Sequence, residues 1–323
     1  MALLLLVVAS LGLATPLLTV LFSIFALNVF SFKGRSKAMS VSLFIITVVA
    51  VCLGVVFFFS QALVVAPKIA AKLVPVVVDF FAGHGIALPF SDVDTFVKLI
   101  KTESMERLGL AGVAATHALR QMAFVLIGMV VAISLYHNAA IVIDRDKHAL
   151  KDNLYSLSAD EITKRFELFY RSFHTVMGAQ ILISAINTVA TGVFLFAAGY
   201  PNWQLLVALT FLCGLLPILG NILSNALIVS VGLTVDPQHA LGALAFLVVV
   251  HKLEYFLNSK IVGKRIQNPM WMTLLGLILG ERLMGVPGMI LAPVILHYIK
   301  MEMSRLAVEN KAEGETLAEV PGI

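Results

Sequence analysis

The chain has 323 residues, of which 59% are hydrophobic and only 13% charged, against roughly 45–50% and 25% in soluble domains; the solvent it is built for is a lipid bilayer. The net charge of +4 is modest and the basic residues sit between apolar runs, so with no nucleic-acid motif present, nucleic acid is excluded as a partner. Cys52 and Cys213 both lie inside apolar runs, so neither a disulfide framework nor a cysteine metal site is expected.

In chain order, residues 2–31 are almost wholly apolar and interrupted by Pro16. A secretory signal peptide is the alternative, but the basic n-region is missing and the apolar run outlasts any h-region. The stretch exceeds the ~20 residues of one crossing and falls short of two. One long tilted helix, or two short segments hinged near Pro16, both fit. A compact basic loop, Lys33-Gly34-Arg35-Ser36-Lys37, leads into a clear span from Ser40 to Ala66.

From Pro67 to Arg120 acids and bases nearly balance, and Pro75, Gly83-His84-Gly85 and Pro89 punctuate the chain. Helices that do not cross the membrane are expected here, in an extracytoplasmic amphipathic region. Ser91-Asp92 reads as an N-cap, with Val93, Phe96, Val97 and Ile100 forming an apolar stripe behind it. A helix lying on the membrane or on its own protein fits that stripe, and so does a gate or an oligomer contact.

Gln121 to Ile143 is the next span, with His137 and Asn138 near its end. The charged segment 144–172 follows, where Ser158-Ala-Asp-Glu161 matches a capping box and predicts the start of an amphipathic cytoplasmic helix. Phe173 to Gly199 is a span in which Gln180, Ser184, Asn187, Thr188 and Thr191 recur at helical spacing and form one polar stripe. Such a stripe either holds helices together or lines a solute pathway.

Two later segments, 202–231 and 271–299, are apolar but broken near their middles. The first break is Leu216-Pro217-Ile218-Leu219-Gly220-Asn221 and the second Gly285-Val286-Pro287-Gly288. Each half reaches only ~22 Å, short of a hydrocarbon core of ~30 Å, so re-entrant hairpins are the economical reading. Half-helix ends inside a membrane offer unpaired N–H and C=O groups to a solute. Asn221 is placed to cap one half-helix and Pro287 to begin another; Asn225, just beyond the first break, joins the pathway candidates.

Between these segments, residues 240–258 are long enough to span. His251, Glu254 and Asn258 share one face there at i, i+3 and i+7. Glu254 either reaches headgroups or pairs with Lys252 or Lys260, or it serves a coupling ion. Glu281 and Arg282, near the second break, are expected to form an ion pair that fixes its tip, with direct solute contact as the alternative.

Fifteen of the 23 Lys and Arg residues fall in segments 32–39, 144–172, 258–270 and 300–323. By the positive-inside rule these lie in the cytoplasm, together with the C-terminus, and the two hairpins enter from opposite faces. No His-Glu-x-x-His, Gly-x-Ser-x-Gly, P-loop or Gly-x-Gly-x-x-Gly motif is present, so zinc proteolysis, hydrolase chemistry and ATP-driven pumping lack support. No metal ligand set or organic cofactor is expected. An intramembrane enzyme is the least favoured class and a channel or scaffold stays open; opposed broken hairpins point instead to a transporter.

The ordered set LLPILGNILSN, HKLEYFLNSKIVGKRI and GVPGMILAPV resembles the autoinducer-2 exporter (AI-2E) family of bacterial membrane permeases. The likeness is most specific over residues 173–300; the N-terminal half matches in layout. It implies an all-α, polytopic protein of the bacterial inner membrane, with about eight membrane segments including the two hairpins. It also implies homo-oligomers, a pentamer among the options, that move small solutes such as a furanone-type quorum signal, while some relatives are associated with sodium/proton exchange. Carried over by position, the family's Pro/Gly break falls on Pro217 and Gly220, its acidic helix on Glu254 and Asn258, its next glycine on Gly263, and its terminal turn on Gly285 to Gly288. H⁺ or Na⁺ is the coupling ion expected at Glu254 or Glu281. Two departures, Ser259-Lys260 and Asn221 where many relatives place prolines, bear on the solute more than on the fold.

Overall fold

A computed structural model describes residues 2–31, 36–86, 88–96, 98, 111–137, 153–217, 219–257 and 269–305. Asn138, Asn258, Lys260 and Gly263, the basic loops at 32–35 and 258–265, and the tail beyond 305 lie outside the described residues. The described elements are helical throughout: α1 (Ala2–Ser10), α2 (Ala14–Phe30), α3 (Lys37–Gly83), α4 (Ala111–His137), α5 (Leu154–Ala197), α6 (Trp203–Gly214), α7 (Leu219–Val235), α8 (Pro237–Leu257) and α9 (Met270–Met303). Among the described residues, four stretches are long and apolar enough to cross a membrane by length and composition: Lys37–Val65, Ala118–His137, Leu154–Ala197 and Trp271–Met303, the last counted through a reversal at Gly285. Shorter apolar helices accompany them at Ala14–Phe30, Trp203–Gly214 and Gly220–Val235.

Several helix ends differ from the sequence expectation, each for a local reason. The N-terminal run divides into two helices, but the hinge is Gly12 at φ 66°, a left-handed conformation that glycine adopts freely. Pro16 sits in the first turn of α2, where its missing N–H had no partner to lose. No break occurs at Pro67: α3 runs on through Pro67 and Pro75 to Gly83, because each proline removes one donor while the surrounding Ala, Val, Lys and Phe propagate the helix. At 1.5 Å per residue α3 is about 70 Å long, so it projects well beyond its apolar part.

The charged segment and the following span are likewise one helix, α5. Its cap is Asn153, not Ser158: Ser156 N donates to Asn153 Oδ1 at 2.9 Å and Asn153 N to Ser156 Oγ at 3.2 Å, a reciprocal pair that satisfies two orphan donors. Ser158 lies inside the helix. Glu161–Arg165 and Glu167–Arg171 pair one turn apart at 2.9 and 2.6 Å, as four-residue spacing permits. Asp92 does cap as its position suggests, accepting from Thr95 N at 2.7 Å. α8 carries the expected 240–258 span as far as Leu257; Asn258 lies outside the described residues.

α5 is the helix to which the rest attaches. Its first half buries Phe169, Phe173 and Met177 against Leu21 of α2 and Leu291, Val294 and Tyr298 of α9; Phe22 meets Phe173 edge-on at 5.0 Å. Its last turns bury Leu195 against Leu206, Ile228 and Ala243 of α6, α7 and α8, and Phe194 stacks on Phe246 at 4.2 Å. Close packing rather than water exclusion must hold such helices in lipid. α2 and α4 show the same device, since a Cβ on Gly128 would lie 2.8 Å from Thr19 Cβ.

Candidate functional site

The first broken segment is a tight reversal. α6 ends at Gly214 and α7 begins at Leu219, and the two helices pack against each other. A Cβ on Gly220 would collide with the carbonyl of Cys213, so this position is open only to glycine. Asn221 is therefore the third residue of α7 rather than its cap, and Pro217 is buried within the turn.

The last carbonyls of α6 have no partner within the helix, and a lipid environment offers no water to replace one. α5 supplies the donors. Gln180 Nε2 donates to Gly214 O at 2.7 Å, and Ser184 Oγ to Phe211 O at 3.0 Å. Further along the same face Asn187 and Thr191 are buried, while Asn187 Oδ1 and Thr188 Oγ1 have no partner among the described residues. Replacing Gln180 by Leu leaves the Gly214 carbonyl orphaned and is expected to cost about 1 kcal/mol, the scale of interhelical hydrogen bonds in membranes. Thermal unfolding in detergent measures that loss.

Beyond the break, the two asparagines of α7 meet the His251–Glu254 face of α8. Asn221 and Asn225 lie one turn apart on α7, and His251 and Glu254 three residues apart on α8, which packs beside α7. Asn225 Nδ2 lies 3.4 Å from His251 Nε2, His251 Nδ1 lies 3.6 Å from Glu254 Oε2, and the Asn221 side chain lies near the Glu254 carboxyl. The His251 ring thus stands between the Asn225 amide and the Glu254 carboxylate. Contacts of 3.4–3.6 Å are longer than committed hydrogen bonds. The carboxylate, only 19% exposed against 56% for His251, thus retains capacity for a proton, a cation or a solute hydroxyl.

The second break is at Gly285, with φ 63° and ψ −148°, and α9 folds back on itself there. Backbone meets backbone across the turn: a Cβ on Gly280 would strike the carbonyl of Gly288, and one on Gly288 that of Gly280. Leu277, Met289 and Ala292 form one buried cluster across it, although residues 277 and 289 would lie ~18 Å apart in a straight helix. Pro287 starts the returning arm, half-buried. Glu281 and Arg282 are both exposed, and no ion pair joins them among the described residues, because neighbours on a helix point in different directions. Arm 286–303 packs on α5, while α6, α7 and α8 gather at the other end of that helix. α5 therefore stands between the two hairpins.

A cavity of about 630 Å³ lies elsewhere, between α2, α3 and α4, and its walls are mainly apolar, including Phe22, Phe44, Val48 and Met129. Among the described residues no group of three or more His, Cys, Asp or Glu side chains is placed to hold a metal ion. A polar cluster that the sequence reading passed over ties Asp236, His239, Tyr200 and Ala198 together. Its one advance signal is Asp236-Pro237, a capping residue followed by a proline at the first helical position.

A family model described as "AI-2E family transporter" matches residues 1–307. Among curated proteins, "Putative transport protein YdbI" of Bacillus subtilis (strain 168) is 28% identical over 147 residues, which cover 45% of this chain and 41% of that protein. The chain thus aligns with less than half the length of this relative. No solved structure matches.

Proposed function

Because this chain belongs to the AI-2E family of transporters, a family of multi-pass membrane proteins, we propose that it carries a small polar solute across the bacterial inner membrane by alternating access around its two broken hairpins. The observation that carries this reading is the Asn221–Asn225–His251–Glu254 cluster, set just past the first break with its carboxylate mostly buried. An intramembrane carboxylate is costly, by at least ~2.5 kcal/mol at the bilayer centre, and marks solute or ion pathways.

Both hairpins are re-entrant in this reading. α6 has 12 residues and α7 has 17, so neither reaches the ~30 Å of a hydrocarbon core at 1.5 Å per residue. The 15 residues of the first α9 arm, 270–284, fall short as well. The basic loops and the C-terminus face the cytoplasm. The exposed arm around Glu281 and Arg282 then faces lipid, the solute path or a second subunit of a homo-oligomer. Coupling to H⁺ or Na⁺ runs through Glu254, with His251 as the group that exchanges partners with it; export of a quorum-type signal and sodium/proton exchange are the two solute readings.

Purified protein in liposomes, offered quorum signals, organic anions and organic cations under imposed H⁺ and Na⁺ gradients, is the test. Saturable flux that follows one gradient is expected. Flux of every probe that neither saturates nor responds to a gradient overturns the transporter reading in favour of a channel or scaffold.

A further inference from the structure

His239 faces hydrogen-bond acceptors on both sides of its ring. Nδ1 lies 2.8 Å from Asp236 Oδ2 and Nε2 lies 2.9 Å from the carbonyl of Ala198. A carbonyl and a carboxylate only accept, and a neutral imidazole donates from one nitrogen alone. Only the imidazolium satisfies both contacts; the neutral ring must set a lone pair against an oxygen.

What these contacts join gives them leverage. Ala198 ends α5, where Gly199 at φ 69° turns the chain so that Tyr200 N donates to Leu195 O at 3.0 Å, the glycine-based helix stop. The Ala198 carbonyl is left pointing outward, at the negative end of a 44-residue helix, where a cation is favoured. Asp236 caps α8, accepting from His239 N at 2.8 Å. Tyr200 crosses back and donates to His239 O at 2.7 Å. Its hydroxyl lies 2.7 Å from where a Cβ on Gly232 would stand, so the last turn of α7 closes on it. The far ends of both α6 and α7, the arms of the first hairpin, therefore meet at this one clamp.

We infer that protonated His239 is a pH-sensitive latch, bridging Ala198 and Asp236 and pinning the end of the first hairpin that lies away from its Pro217 break. The latch rests on geometry alone; its effect on transport rests on the transporter reading. The titratable groups in direct contact with His239 are Asp236, at its ring, and Tyr200, at its carbonyl. α3, which meets the same cluster through Ile69, carries Lys68, Lys72 and Asp79, and α8 carries His251, Lys252 and Glu254 three or more turns further on.

Both members of the bridge precede the apolar stretch 240–258, and their titration has a definite sign. The Asp236 carboxylate, with the Ala198 carbonyl, raises His239 above the ordinary imidazole value of 6.5. Stabilisation from His239 is accordingly complete below pH 6.5 and is lost as pH rises through the raised value. Bonds from His239 hold Asp236 below 3.8, so its share is complete above that pH and is lost as pH falls through the lowered value. The latch is fully closed between those two limits and opens on the alkaline side.

Amide hydrogen exchange of the full chain in lipid nanodiscs reads this directly, followed from about pH 5.5 to about pH 8.5, either side of the imidazole range, and corrected for intrinsic exchange. Wild type is expected to lose protection at residues 199–206 and 236–242 in one step, by about tenfold for each pKa unit that the bridge supplies. His239→Gln cannot titrate and should show no step. Asp236→Asn keeps an acceptor for the α8 cap but removes the charge, so its step should move to lower pH. A wild type with no step, an unchanged step in His239→Gln, or an unmoved one in Asp236→Asn overturns the latch. Because no solute is needed, failure of the transporter reading would leave this result intact.

Discussion

Gly288→Ala is expected to destabilise the protein by about 3 kcal/mol or more, at or above the upper end of overpacking costs. The added methyl would strike the carbonyl of Gly280 and the Met284 side chain. Met284 can move, but a backbone carbonyl in the opposing arm cannot rotate away, so the two arms of α9 must separate. Separation exposes the buried Leu277–Met289–Ala292 contact and disturbs Leu291 and Val294, through which the returning arm meets α5. Thermal unfolding in detergent, followed through Trp203 and Trp271, measures the loss. Gly242→Ala is the matched control, because nothing lies within 4 Å of its added Cβ. Relief of glycine's backbone entropy should leave that variant neutral or more stable by roughly 0.5–1 kcal/mol. Equal unfolding temperatures for the two variants would remove the case for close-packed arms.

The breaks were legible because proline and glycine act locally. Pro217 and Gly220, and Gly285 to Gly288, interrupt apolar runs whose halves are too short to cross, and length alone made hairpins economical. Helix ends were less legible, because several local signals compete and tertiary context chooses among them. Asn153 with Ser156 outcompeted Ser158 with Glu161 as the cap of α5, and Gly12 rather than Pro16 hinged the N-terminus. The apolar span after the first basic loop closes at Val65, as its composition suggests, while the helix itself runs on, since one lost donor at Pro67 does not stop a 47-residue helix. At the candidate site, helical spacing gave the shared face of His251 and Glu254. Their meeting with Asn221 and Asn225 depends on the turn at Asp236-Pro237, which folds α8 back along α7, and periodicity carries no information about which faces then touch. The same turn hid the latch, where His239 looked like one more polar residue at a helix start. Glu281 and Arg282 show the converse: adjacency in sequence suggested a pair, and helical geometry pointed them apart.

The largest functional effect is expected from Glu254→Gln, with a loss of tenfold or more in gradient-driven flux at unchanged protein abundance in the membrane, equivalent to about 1.4 kcal/mol or more of lost coupling. Glutamine is nearly isosteric and keeps a polar oxygen toward His251 and Asn221, so the α7–α8 contact should survive. It can neither carry charge nor release a proton, and those two properties are what a coupling site needs. The loose contacts of 3.4 and 3.6 Å around His251 make this separation of roles plausible in energetic terms, since little structural stability rests on them. Glu281→Gln is the comparison: its side chain is exposed and makes no ion pair with Arg282, so a smaller effect is expected. Solute exchange without a gradient should persist in Glu254→Gln, because the hairpins and the polar face of α5 are untouched. Proteoliposome flux with and without an imposed H⁺ or Na⁺ gradient separates these outcomes. Wild-type gradient-driven flux in Glu254→Gln would rule out this carboxylate as the coupling group and return attention to Asn187 Oδ1 and Thr188 Oγ1, buried polar atoms on α5 with no partner among the described residues.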